Sequence, residues 1–125
     1  MDALIVRSAI AEILLLEGEH MVSDNEPFQQ IGVTSLDFID LCFALQCKSG
    51  IDLDPKDLWP IVAMSTDPAL HDGKNWTHVG WANVKGLLAL ADDVTPADPA
   101  ELSRYLTPAF CARRIEALVS ERQNA

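Results

Sequence analysis

From Ile31 to Leu41 the chain reads Ile-Gly-Val-Thr-Ser-Leu-Asp-Phe-Ile-Asp-Leu, and this stretch constrains the fold more than any other. Thr34 suits the N-cap of a helix, where its hydroxyl oxygen accepts from an orphan backbone N–H. Asp37, three residues on, reaches back to complete a capping box, so a helix starts at Thr34/Ser35. Its apolar residues run from Leu36 through Leu45, and it ends near Ser49-Gly50. Ser35 then sits on the first turn with its hydroxyl in water. Asp37 and Asp40 line one side of the helix, while Leu36, Ile39 and Phe43 fall on another. Leu36, Phe38, Ile39, Leu41, Cys42, Phe43 and Leu45 form an apolar band wider than the single stripe a surface helix needs. The surplus is expected to face a partner or a bound chain. The local pattern therefore sets a modifiable hydroxyl beside a mixed acidic and apolar docking surface. The plain alternative is a serine that merely opens a helix, as serines commonly do.

These residues resemble the acyl and peptidyl carrier proteins. The attachment motif of that family reads Gly-x-Asp-Ser-Leu, then an acidic residue, two variable positions, an acid and a leucine. Gly32, Ser35, Leu36, Asp37, Asp40 and Leu41 match that order without a gap. Phe28 and Ile31 fit the loop before the motif, and Ile51-Asp52-Leu53-Asp54-Pro55 resembles the short segment leading into the family's third helix. The resemblance fades after about Trp59. It implies that Ser35 carries 4′-phosphopantetheine as a covalent cofactor, whose terminal thiol holds acyl cargo as a thioester. It also implies that Leu36, Asp37, Ile39 and Asp40 form the partner-binding face. The implied partners are a phosphopantetheinyl transferase and the enzymes that load and receive the acyl group. Candidate pathways are fatty acid or lipid acylation, polyketide assembly and aminoacyl transfer. One position departs from the pattern: the aspartate that precedes the serine in the family is Thr34 here. Capping survives that change, but an acid that contributes to the modification complex is lost. The competing reading is a carrier-fold interaction module that is never modified.

Charge agrees with an acidic docking protein. Nine basic against nineteen acidic residues give a net charge of −10. Residues 1–60 hold eleven Asp/Glu and three Lys/Arg, net −8, whereas residues 61–125 hold eight and six, net −2. This balance argues against nucleic acid or an anionic membrane surface and for enzymes with basic docking patches. The same charges would also serve a merely solvated surface. Ala3-Leu4-Ile5-Val6 is broken by Arg7 and Ser8, and no run has the length of a spanning helix, so no signal peptide or membrane insertion is expected. Three cysteines without paired spacing point to a reducing, cytoplasmic setting.

At 125 residues the chain has room for one domain with one modest core. Leu4, Ile5, Ala9, Ile10, Ile13, Leu14 and Leu16 predict a first helix from Asp2 to about Glu17, stopped by Gly18. Residues 18–33 read as a long loop. After a turn of helix at Lys56 to Trp59, the segment of about 60–108 is broken by prolines and glycines and holds one expected helix, about Trp81 to Ala91. Pro108 opens a closing helix to about Arg122. The expected architecture is all-α, a four-helix acyl-carrier-like bundle with the 60–108 segment inserted before the last helix. The interior between the first helix and the motif helix would shelter apolar cargo. Trp59, Trp76 and Trp81 either supply packing area or lengthen that shelter. No catalytic or metal site is expected. His71 and His78 lack zinc-type spacing, and a Ser35/His/Asp hydrolase lacks an oriented base and oxyanion donors.

Overall fold

The Thr34 cap forms as the sequence predicts. In the computed structural model, which describes residues 1–123, Thr34 Oγ1 accepts from the Asp37 N–H at 3.2 Å and Asp37 Oδ2 accepts from the Thr34 N–H at 3.0 Å. Helix α3 runs from there over Ser35–Ser49 and closes on Gly50, whose φ of 77° supplies the left-handed cap. Before it come α1 (Ala3–Ile13) and the single turn α2 (Phe28–Ile31). After it come α4 (Pro55–Leu58), α5 (Ile61–Ser65), α6 (His78–Leu88) and α7 (Pro108–Gln123). Glu19–Met21 and Glu101–Tyr105 are 3-10 turns, and no strand occurs among the described residues.

The architecture is all-α, as expected. Helix α1 packs against both α3 and α7, and the short α4 bridges α3 to α7, giving the carrier-like bundle. Val6 and Ile10 from α1 meet Leu41 and Leu45 from α3, Leu58 from α4 and Ile115 from α7 in one core. Burial of these side chains, about 1.5–3 kcal/mol each, is the main force holding the helices together. Ile61, Trp81, Val84, Leu88 and Leu102, from the segment between residues 60 and 108, are buried in that same core.

Two helices differ from expectation in their bounds, and the C-terminal end of each is set by a residue in the left-handed conformation. Helix α1 stops at Ile13, four residues before Glu17, because Leu15 adopts a left-handed conformation at φ 58°. The Leu16 N–H reaches back to the Ala11 carbonyl at 2.8 Å and the Leu15 N–H to Glu12 at 3.3 Å, the Schellman pattern with leucine where glycine is usual. The α6 helix spans His78–Leu88 instead of about 81–91. Thr77 caps it by accepting from the Gly80 N–H at 2.9 Å, and Ala89, at φ 54°, ends it. The 18–33 loop also holds more local structure than expected, a 3-10 turn and α2.

Long-range polar contacts fix the loops that frame α3. The Arg7 guanidinium lies 2.8 Å from Asp24 Oδ1, and the Asp24 carbonyl accepts from the Ala109 N–H at 2.9 Å. The Phe28 N–H donates to the Leu106 carbonyl at 2.9 Å. Arg114 Nε donates to the Asp57 carbonyl at 2.8 Å, and Arg122 donates to the Asp52 carbonyl. Among the described residues, no helix is long and apolar enough to cross a membrane.

Candidate functional site

Ser35 is the first residue of α3 and is exposed. The capping box fixes the backbone on which it sits. The positive end of the α3 dipole and the free N–H groups of the first turn suit a phosphate ester placed there. Leu36, Ile39 and Phe43 are 76%, 52% and 67% exposed, so the surplus apolar band turns outward as a stripe along the helix. Asp40 is exposed beside it. Asp37 is placed differently from the rest of the predicted face: it is partly buried, and Oδ2 is engaged with the Thr34 N–H. Phe43 extends the stripe beyond the four residues named from the motif. The i, i+3, i+7 spacing of Leu36, Ile39 and Phe43 already carried that signal.

Beside Ser35 the structure opens a cavity of about 360 Å³. Phe28, Val33, Phe38, Ile39, Trp59 and Leu106 form most of its wall. Phe28 and Phe38 meet edge to face at 6.0 Å, and Trp59 is braced by Phe110 of α7 at 5.4 Å. Ser35 and Thr34 stand at the rim together with Gln29 and Ser103. The cavity lies on the α2 and α4 flank of α3. The seam between α1 and α3, the shelter expected from sequence, is filled by Ile10, Ile13 and Leu41 and leaves no space for a water-sized group. Ser103 and Leu106 escaped the site reading because only the tertiary fold brings them to Ser35, whereas Trp59 is one of the three tryptophans expected either to pack or to lengthen the shelter.

The tryptophans divide by role. Trp59 lines the cavity. Trp76 and Trp81 do not; their indole N–H groups donate to the Ala97 and Val94 carbonyls at 2.8 and 3.3 Å, fastening α6 and the residues just before it to the loop that follows. His71 is also structural, with Nδ1 accepting from the Gly73 N–H at 3.0 Å and its ring against Trp76. Among the described residues no group of three or more His, Cys, Asp or Glu side chains is placed to hold a metal. Burial, and then the carboxylates of Asp54 and Asp57, push the Cys42 thiol up to about 12. Burial first, and Cys42 second, raise Cys111 as well, which leaves both thiols protonated and inert.

Residues 5–61 match the family model described as the phosphopantetheine attachment site. This segment is thus similar to the phosphopantetheine carriers. Members of the family hold 4′-phosphopantetheine covalently and carry cargo without catalysing its chemistry, and they interact with a phosphopantetheinyl transferase and acyl-handling enzymes in general. The matched segment contains α1 through α4 and the first residue of α5. Ser103 and Leu106, which also line the cavity, come from outside that segment. A search of curated proteins and of solved structures found no match to the chain.

The residues beside Ser35 fit such an arm. An exposed hydroxyl at a helix N-terminus offers the ester oxygen and the donors for its phosphate, and the adjoining cavity is apolar.

Proposed function

We propose that Ser35 takes the 4′-phosphopantetheine arm and that the chain delivers acyl groups to partner enzymes of fatty acid, lipid or polyketide biosynthesis. The observation that carries this reading is the exposed Ser35 hydroxyl on the first turn of α3, inside the matched segment and at the rim of an apolar cavity. The arm supplies a thiol that holds the acyl group as a thioester. The chain's own residues do the rest. Thr34 and Asp37 hold the first turn, so that the ester oxygen stays fixed in the presence of a transferase. Leu36, Ile39 and Phe43 give an enzyme an apolar stripe to cover, and Asp40 and the acidic first half of the chain steer it toward basic patches. Asp37 acts mainly through the cap. Residues 60–108 are read as an insertion that completes the core, within one carrier-like unit that α7 closes.

The test is the intact mass of the purified protein before and after incubation with coenzyme A and a broad-specificity phosphopantetheinyl transferase. A phosphopantetheine-sized gain that Ser35→Ala abolishes is the expected result. Thr34, standing where the family has an acid, favours a second reading, the unmodified interaction module. No mass gain in the folded protein, beside a carrier that loads normally, would sustain that reading instead.

A further inference from the structure

We propose that the 3-10 turn Glu101–Tyr105 and the Leu106 that follows it form a specificity wall, which limits the cargo to a neutral apolar acyl chain of about a dozen carbons or fewer. The proposal rests on Ser35 as the point of attachment, since a group tethered there reaches the cavity over its rim.

Three observations carry it. First, no Asp, Glu, Lys, Arg or His lines the cavity. A free ammonium or carboxylate on the cargo would lose water there and gain no charged partner, a penalty that a hydrocarbon does not meet. That selects against aminoacyl and carboxyacyl cargo. Second, the volume is about 360 Å³. A methylene takes close to the volume of a water molecule in the liquid, ~30 Å³, so roughly a dozen chain carbons fill the space. Third, the wall is held rigidly. The Phe28 N–H donates to the Leu106 carbonyl at 2.9 Å, Leu102 is fully buried beneath the turn, and Thr107 Oγ1 accepts from the Phe110 N–H at 3.1 Å. Phe110 in turn braces Trp59, which also lines the cavity. Leu106 is only partly buried, which leaves its side chain available to the cavity it lines. The wall thus lies outside the matched family segment and belongs to this chain's own second half.

The experiment titrates the unmodified full chain with free acyl-pantetheine amides, from acetyl to tetradecanoyl, with succinyl and glycyl analogues alongside. Backbone amide shifts of Phe28, Ser35 and Leu106 report binding. Affinity is expected to rise up to about fourfold per methylene and to level off near a dozen carbons, with little or no binding of the charged analogues. Leu106→Ala should move the plateau about three carbons longer, the number of carbons it removes. Leu106→Trp should weaken the longer chains at least tenfold. If that variant loses its dispersed spectrum, Leu106→Ala carries the test alone. A plateau that stays put in Leu106→Ala overturns the proposal, as do equal affinities for succinyl and butyryl analogues or shifts confined to Met1, Ile5 and Val119, which line a separate groove. Because these probes are free in solution, the outcome stands apart from the mass test of Ser35: either can fail without the other.

Discussion

Replacing Thr34 separates its two possible contributions, capping α3 and presenting a side chain to the transferase. Thr34→Ala removes the bond from the Asp37 N–H to Oγ1, 3.2 Å long, and leaves the reciprocal bond to Asp37 Oδ2 in place. Both residues sit near the surface, so water can serve the freed N–H, and the cost should fall in the lower half of the usual range, about 0.5–1 kcal/mol. For a chain of this size that lowers Tm by about 2–5 °C. Thr34→Asp keeps an acceptor at the cap and adds negative charge at the helix N-terminus, worth about 0.3–1 kcal/mol. It also sets a second carboxylate beside Asp37, which opposes that gain, and the net change should stay within about 0.5 kcal/mol of wild type. Urea unfolding followed by far-UV circular dichroism measures both, provided the m-value is unchanged. Thr34→Ala as stable as wild type would refute the capping argument, and so would Thr34→Asp as unstable as Thr34→Ala. Loading rates measured on the same proteins then isolate recognition: a faster Thr34→Asp at unchanged stability assigns the difference to the acid and not to the cap.

Other predictions follow from single sites. Gly80→Ala should cost at least about 2 kcal/mol, because its new Cβ would lie 1.8 Å from the Leu70 carbonyl oxygen; a neutral or stabilised variant in chemical denaturation would overturn the close crossing. With iodoacetamide at mildly alkaline pH the folded chain should take up one label, on exposed Cys47, while Cys42 and Cys111 react only after unfolding. The raised Cys42 value also sets a direction for stability. It is fully present below the ordinary thiol value of 9.0 and falls as pH rises toward about 12, since the unfolded chain releases its proton first; a flat profile through that window refutes it. Asp72 is held below its ordinary value by backbone N–H groups of Asn75 and then Lys74. Its contribution to the loop is present above the ordinary value and fades as pH falls through the lowered one, so the Lys74 and Asn75 amide shifts should titrate below 3.8. A midpoint at or above 3.8 would contradict the hydrogen bonds.

What the sequence determined by itself is what a few neighbouring residues decide. Thr34 and Asp37 close a capping box across three residues, Gly50 supplies the left-handed stop of α3, and Pro108 opens α7. These are local hydrogen bonds and dihedral preferences, so the position of Ser35 at the mouth of an acidic helix was legible before any fold was known. The outward apolar stripe was legible too, as a surplus beyond one buried face. The end of α1 was not, because Leu15 takes a left-handed conformation that leucine disfavours and that glycine adopts at less cost. Nor was the cavity. Its position depends on Phe28 meeting Leu106, on Trp59 leaning on Phe110, and on Ile10 and Leu41 filling the seam where a shelter was expected. Those contacts join residues far apart in the chain, and close packing leaves space only where distant side chains fail to meet. Local preferences thus placed the serine, and the tertiary packing of α2, α4, the 3-10 turn and α7 decided what lies beside it.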